Sequence, residues 1–126
     1  MFTQKLTFII GAAFGGLGVA LGAFGAHALK PMLTANNKLD TFELAVRYQF
    51  YHAFALLFIG LLMNQFPAES NLQKAALFMT LGVALFSGSL YALSFNAGRL
   101  VAFVTPIGGV FFLLGWLMLL LTFVKN

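Results

Sequence analysis

Four long apolar runs, separated by short polar links, dominate the chain and leave it few ways to fold. They cover about residues 6–29, 43–66, 73–94 and 99–124. The first, at a rise of roughly 1.5 Å per residue, makes a helix of about 36 Å, enough to cross a bilayer with some tilt. In hydrocarbon every backbone amide needs a partner within the protein, which leaves helices or a closed barrel. Runs this long, without strand-like alternation, read as helices. The expected fold is therefore all-α: an integral membrane four-helix bundle forming a single transmembrane domain over residues 1–126. An even number of spans puts both termini on the same side. Composition agrees, with 61% hydrophobic and 8% charged residues and a mean hydropathy of +0.95, whereas a soluble domain is about a quarter charged. Ala26-His27-Ala28 has the form of a signal-peptide cleavage site, but the run before it exceeds a typical signal core.

The charges are few and fall mainly near the ends of the runs. Seven Lys/Arg against three acids give a formal charge of +4. Scattered singly, they suit anionic headgroups and form no basic, aromatic-interleaved patch for nucleic acid. Lys5, Lys74 and Lys125 belong to the termini side, and Lys30, Lys38, Arg47 and Arg99 to the opposite side, so charge does not orient the protein. The absence of cysteine excludes disulfides, thiolate metal sites and a thiol nucleophile.

Turn chemistry marks the links. Pro31–Leu39 reads as an irregular polar loop. Asp40-Thr41-Phe42-Glu43 reads as a capping box that starts the second helix near Thr41, with Glu43 and Arg47 placed to pair one turn apart. Pro67 ends that helix. Phe95–Gly98 is a turn in which Asn or Gly takes the left-handed conformation that ends a helix. Pro106 lies within the fourth run and predicts a kink or a locally freed carbonyl.

Small residues recur at helical spacing. Gly11, Gly15, Gly18, Gly22 and Gly25 follow intervals of 4, 3, 4 and 3 and share a face suited to close helix approach. That face packs within the chain or forms a homo-oligomer seam. The third run carries Thr80, Ala84, Ser87, Tyr91 and Ser94 on one stripe, and the fourth Thr105, Gly108, Phe112, Gly115 and Thr122.

Depth organises the polar side chains. His27, Tyr48, Gln49, His52, Ser87, Tyr91 and Thr105 all fall in the half nearer the opposite side, while the termini half is almost purely apolar. An ionisable group inside a span marks a candidate site because burying it is costly. The competing reading is a neutral histidine serving as packing glue. Few other chemistries fit. Asp40, Glu43 and Glu69 all lie at interfaces, two histidines are too few for a typical metal site, and no serine has an acid–base partner on its own span. Two histidines at similar depth would suit haem only weakly. The chain reads as non-enzymatic, and no cofactor is indicated.

GAFGAHALK (22–30), YQFYHAFALL (48–57), FSGSLYAL (86–93) and TPIGGVFFLLGW (105–116) resemble the YgdD/YwdK-like small membrane proteins, domain of unknown function 423. The resemblance covers all four spans. It implies a four-span, multi-pass protein of the bacterial inner (plasma) membrane, and carries over no activity. His27, Tyr48, Gln49, His52, Ser87, Tyr91, Thr105 and Pro106 all lie in or beside these motifs.

The leading functional expectation is a polar pocket opening toward the opposite side and binding a small amphiphile, a lipid headgroup or a quinone-like ring. The alternatives are a non-catalytic assembly subunit of a larger membrane complex and a small oligomeric channel or transporter. Membrane lipids are the expected partners, with homo-oligomerisation as a further option.

Overall fold

The computed structural model describes all 126 residues. Helix α1 is Gln4–Ala26, α2 Lys30–Ala35, α3 Leu39–Gln65 and α4 Ser70–Gly82. A π-helical turn, Val83–Ser87, carries α4 into α5, Gly88–Ser94, and a 3-10 turn, Arg99–Phe103, leads into α6, Val104–Lys125. Together they make four rods long and apolar enough to cross a membrane: Gln4–Ala26, Leu39–Gln65, Ser70–Ser94 and Arg99–Lys125. Outward-facing Leu17, Val19, Phe54, Leu61, Leu113 and Leu120 are exposed, an arrangement suited to lipid rather than water.

The ends of the helices follow local chemistry. The Thr3 hydroxyl accepts from the Leu6 amide and caps α1. Asn37 and Asn96 have φ of 55° and 61°. At Asn37 the Lys38 amide reaches the Leu33 carbonyl, and at Asn96 the Ala97 amide reaches that of Ala92, which are the bonds of a Schellman ending. The left-handed turn expected at 95–98 is thus formed by Asn96.

Three expectations about the links need correction. Residues 31–39 are not an irregular loop, because Lys30–Ala35 winds into α2, with Pro31 in its first turn where a missing amide costs nothing. The capping box does not form: α3 begins at Leu39, and no side chain caps it. Starting there draws Asp40 and Glu43 into the helix, and Glu43 makes no ion pair with Arg47, since Lys125–Glu69 is the molecule's ion pair. Pro106 comes just after the 3-10 turn Arg99–Phe103, at the start of α6. It lies in that helix's first turn, where amides have no intrahelical acceptor.

Helix α1 lies along α3, and α4 along α6, with α3 and the α4–α5 rod meeting between them. Gln4 Nε2 donates to the Gly60 carbonyl at 2.9 Å, and Asn126 Nδ2 donates to Glu69 at 3.1 Å. Both termini therefore stand at the same end of the bundle, beside the α3–α4 turn. The core at that end is apolar, built on Leu56, Ile59, Leu72, Ala75, Ala76 and Met79.

Most of the α1 glycine stripe is consumed within the chain. Gly11, Gly18 and Gly25 are buried, and a Cβ on Gly25 would lie 2.5 Å from the Phe42 ring. Gly22 faces Val46, but Gly15 meets nothing within 4 Å. The α6 stripe is also real: Gly108, Phe112, Gly115 and Thr122 are buried, joined by Leu119. The stripe expected on the third run is crossed by the π turn at Val83–Ser87. Ala84, Ser87 and Tyr91 line one groove against α1 and α3, with Ala84 at its exposed edge, while Ser87 and Ser94 are buried.

The Glu69 carboxylate holds the termini end together. It accepts from the Asn71 amide, capping α4, and from Asn126, with Lys125 Nζ at 3.4 Å. The Asn71 amide, then the Asn126 amide and the Lys125 charge, hold its carboxyl below the ordinary value. A depressed carboxyl contributes stability above its unfolded value and loses it as pH falls through its folded value. Acidification below the ordinary carboxyl range is thus expected to release the Lys125–Asn126 end. A spin label at position 126 of a Cys variant would read this as increased mobility in acid, and Glu69→Gln should abolish most of the pH response.

Candidate functional site

The polar residues of the spans divide into separate groups rather than lining one pocket, because α3 stands between them. On the α1 side, the Tyr91 hydroxyl donates to Gln49 Oε1 at 2.6 Å, and Gln49 Nε2 donates to the Phe14 carbonyl at 2.7 Å. This relay ties α5, α3 and α1. Beside it, the buried Ser87 hydroxyl donates to the Ala45 carbonyl at 2.7 Å. A shallow groove of about 200 Å³ lies over this group, its walls mainly apolar. Thr105, in the first turn of α6, pairs with the Ser89 hydroxyl of α5.

His27 is separate from all of these. It is the C-cap of α1 and is exposed. Gly25 abuts Phe42, and His52 is ten residues further along α3, roughly 15 Å deeper. His27 and His52 therefore do not share a depth, which removes the arrangement that axial haem ligation would need.

His52 lies at the midpoint of α3, on the α6 side. Its Nδ1 is 2.7 Å from the Tyr48 carbonyl, and the Trp116 indole N–H donates to its Nε2 at 3.1 Å. A carbonyl can only accept and an indole N–H can only donate. The ring is thus a neutral imidazole with its proton on Nδ1. The imidazole stacks on Phe112, with centroids 3.6 Å apart and planes 12° from parallel, and Tyr48 stacks on Phe86 at 4.6 Å. Both ring nitrogens are in use, so neither is free to bind a metal or a substrate.

Next to this satisfied histidine a groove of about 730 Å³ opens on the flank of the bundle between α3 and α6. Its walls are Tyr48, Tyr51, His52, Phe54, Phe86, Phe112, Leu113 and Trp116, with Gly109 leaving one side bare. A Cβ on Gly109 would have its nearest neighbour, the Phe86 ring, at 3.9 Å. The groove therefore lies partway along the rods and faces lipid, rather than opening at the opposite end as expected. No buried side-chain nitrogen or oxygen in the molecule lacks a partner. The hydroxyls of Tyr48 and Tyr51 enter none of the hydrogen bonds of the cluster, and their rings are 5.6 Å apart. They are the groove's free hydrogen-bonding groups.

Of the seven candidate residues, then, Tyr48 and His52 line this groove, Gln49, Ser87 and Tyr91 bind helices together, Thr105 pairs with Ser89, and His27 stands apart. Sequence reasoning missed Trp116, Phe112, Phe86, Tyr51 and Gly109. One signal pointed to Trp116. It is the chain's single tryptophan, and an indole N–H inside a span requires an acceptor.

The family model described as "Protein of unknown function (DUF423)" matches residues 21–109, which takes in the groove residues up to Gly109. The chain belongs to the DUF423 family. The UPF0382 membrane protein SH2409 of Staphylococcus haemolyticus is 40% identical over 122 residues, covering 97% of this chain and 98% of the relative. YwdK of Bacillus subtilis, a UPF0382 membrane protein, is 36% identical over the same shares. The UPF0382 inner membrane protein YgdD of Escherichia coli K12 is 40% identical over 118 residues, 94% of this chain and 88% of its own. No solved structure matches the chain. With four apolar helices and inner-membrane relatives, this DUF423 member is a multi-pass protein of the inner membrane.

Proposed function

We propose that this DUF423 protein is a non-catalytic binding protein whose α3–α6 groove takes up a small amphiphile from the lipid phase. The supporting observation is the pair of free tyrosine hydroxyls in an otherwise apolar, aromatic-walled groove. Within a bilayer an unpartnered hydroxyl is unfavourable, and an apolar molecule carrying carbonyl or ether oxygens relieves two at once. The groove's size suits such a molecule. The imidazole serves as wall rather than ligand partner, because both its nitrogens are already engaged.

Gly109 provides the test. Leucine there extends into open space and fills the groove. Full-length protein purified in mild detergent should carry a copurifying apolar molecule, detectable by native mass spectrometry. Gly109→Leu is expected to lose it with the thermal stability preserved. Equal retention by the variant, or no retained molecule in the wild type, would overturn the reading.

A second reading rests on the outer face of α1. Ala12, Gly16 and Ala20 are exposed at four-residue spacing, and Gly16 meets nothing within 4 Å. Such a face suits a second helix, in a homo-oligomer or a larger complex. A crosslink between copies through a cysteine at position 16 would favour it.

A further inference from the structure

A third groove, of about 210 Å³, lies between the end of α1 and the start of α3. Gly22, Gly25, Ala26, Phe42 and Val46 form its apolar surface, and Glu43 and Arg47 line the same space. Arg47 is eight residues past the start of α3, roughly 12 Å along the helix. The other six basic residues stand closer to the start or end of a helical rod. Arg47 is exposed, yet no carboxylate lies within ion-pairing distance, since Glu69 is held by Lys125 at the other end of the molecule. Glu43 is one turn nearer the membrane surface, also exposed, and also without an ion pair. Two opposite charges placed ideally for a helical pair thus border one groove without joining.

From this arrangement we infer that the groove seats the headgroup of a phospholipid with a primary amine, phosphatidylethanolamine in chemical class. The order of charges along the helix matches the order in that headgroup. The deeper guanidinium receives the phosphate through charge-assisted hydrogen bonds, and Glu43, about 6 Å further out, receives the ammonium that projects beyond it. The open groove bordered by Gly22, Ala26 and Val46 takes the glycerol. A primary ammonium has three donors for the carboxylate, whereas a quaternary choline has none. The seat therefore selects phosphatidylethanolamine over phosphatidylcholine, and its net neutrality selects against phosphatidylglycerol. These observations are independent of the α3–α6 groove.

The test uses the full chain in micelles containing equal amounts of phosphatidylethanolamine, phosphatidylcholine and phosphatidylglycerol, with retained lipid counted by native mass spectrometry. Wild type is expected to retain phosphatidylethanolamine about tenfold over phosphatidylcholine, the ratio that one charge-assisted hydrogen bond supports. Glu43→Gln should bring the two to near parity. Arg47→Gln should lower all three, and Arg47→Lys should restore part of the binding. Circular dichroism and thermal melting check that each variant folds, and Glu43→Asp, which keeps the charge, stands in should Glu43→Gln fail to fold by showing a partial preference. A wild type indifferent to the amine, a preference for phosphatidylglycerol, or a Glu43→Gln variant with unchanged selectivity would each overturn the assignment. Gly109→Leu should leave this selectivity intact, so failure here and failure of the amphiphile groove are separately visible.

Discussion

Gly108→Ala is expected to destabilise the bundle by about 2 kcal/mol or more, while Gly109→Ala, one residue away, stays within about 0.5 kcal/mol of wild type or gains slightly from helix propensity. The difference comes from what each position faces. A Cβ on Gly108 would run into the Phe86 backbone, both its nitrogen and its Cα. Backbone cannot rotate away as a side chain does, so α6 must shift from the α4–α5 rod. Phe86 belongs to the π turn, whose bulge brings its backbone against α6. On the other helix, Gly82 receives the Phe112 ring just as closely, so retreat at position 108 also disturbs that contact. Gly109 faces the open groove and has nothing to displace. Thermal or denaturant unfolding in detergent checks both variants. Equal effects at the two positions would show that the crossing of α4 and α6 is not set by this contact.

That contact also shows where the sequence was readable and where it was not. Apolar runs of span length left little choice but four rods, and small residues at helical intervals on α6 marked a packing face because close approach in lipid depends on them. Asn96 signalled its turn because few residues tolerate positive φ. The π turn left no comparable trace. A single inserted residue changes no composition, and the spacing of residues 80–94 does not announce it. Helix α2 has six residues, too few to display a period. The capping box failed because α3 had already wound for several residues before Glu43. For the site, a depth count along separate runs placed His27 level with His52. Registration between α1 and α3 depends on Gly25 meeting Phe42, which only the packed structure reveals. The pairing of His52 with Trp116 joins residues 64 apart, and nothing local in a single sequence announces it.

His52→Ala should cost about 2–4 kcal/mol, and His52→Phe should recover roughly half of that loss. Alanine removes three contributions together, the ring stacked on Phe112, the acceptor for the Trp116 indole and the Nδ1–H donated to the Tyr48 carbonyl. Phenylalanine restores a ring of similar width but leaves the indole N–H without its acceptor and the Tyr48 carbonyl without the Nδ1–H. Part of way along a span, lipid offers no substitute acceptor. Trp116→Phe removes that N–H and should cost about 1 kcal/mol alone. Once His52 is phenylalanine, Trp116→Phe should cost almost nothing further, because no hydrogen bond remains to lose. The resulting coupling of about 1 kcal/mol isolates the imidazole–indole bond from the stack. Unfolding measurements on the four proteins supply the cycle, and emission from the sole tryptophan reports independently on loss of its hydrogen bond in His52→Phe. Full additivity with unchanged emission would mean that the histidine is held by stacking and by its Nδ1 bond to Tyr48, without the indole. Its Nε2 would then be free for a ligand, and the groove's chemistry would shift from the tyrosines to His52.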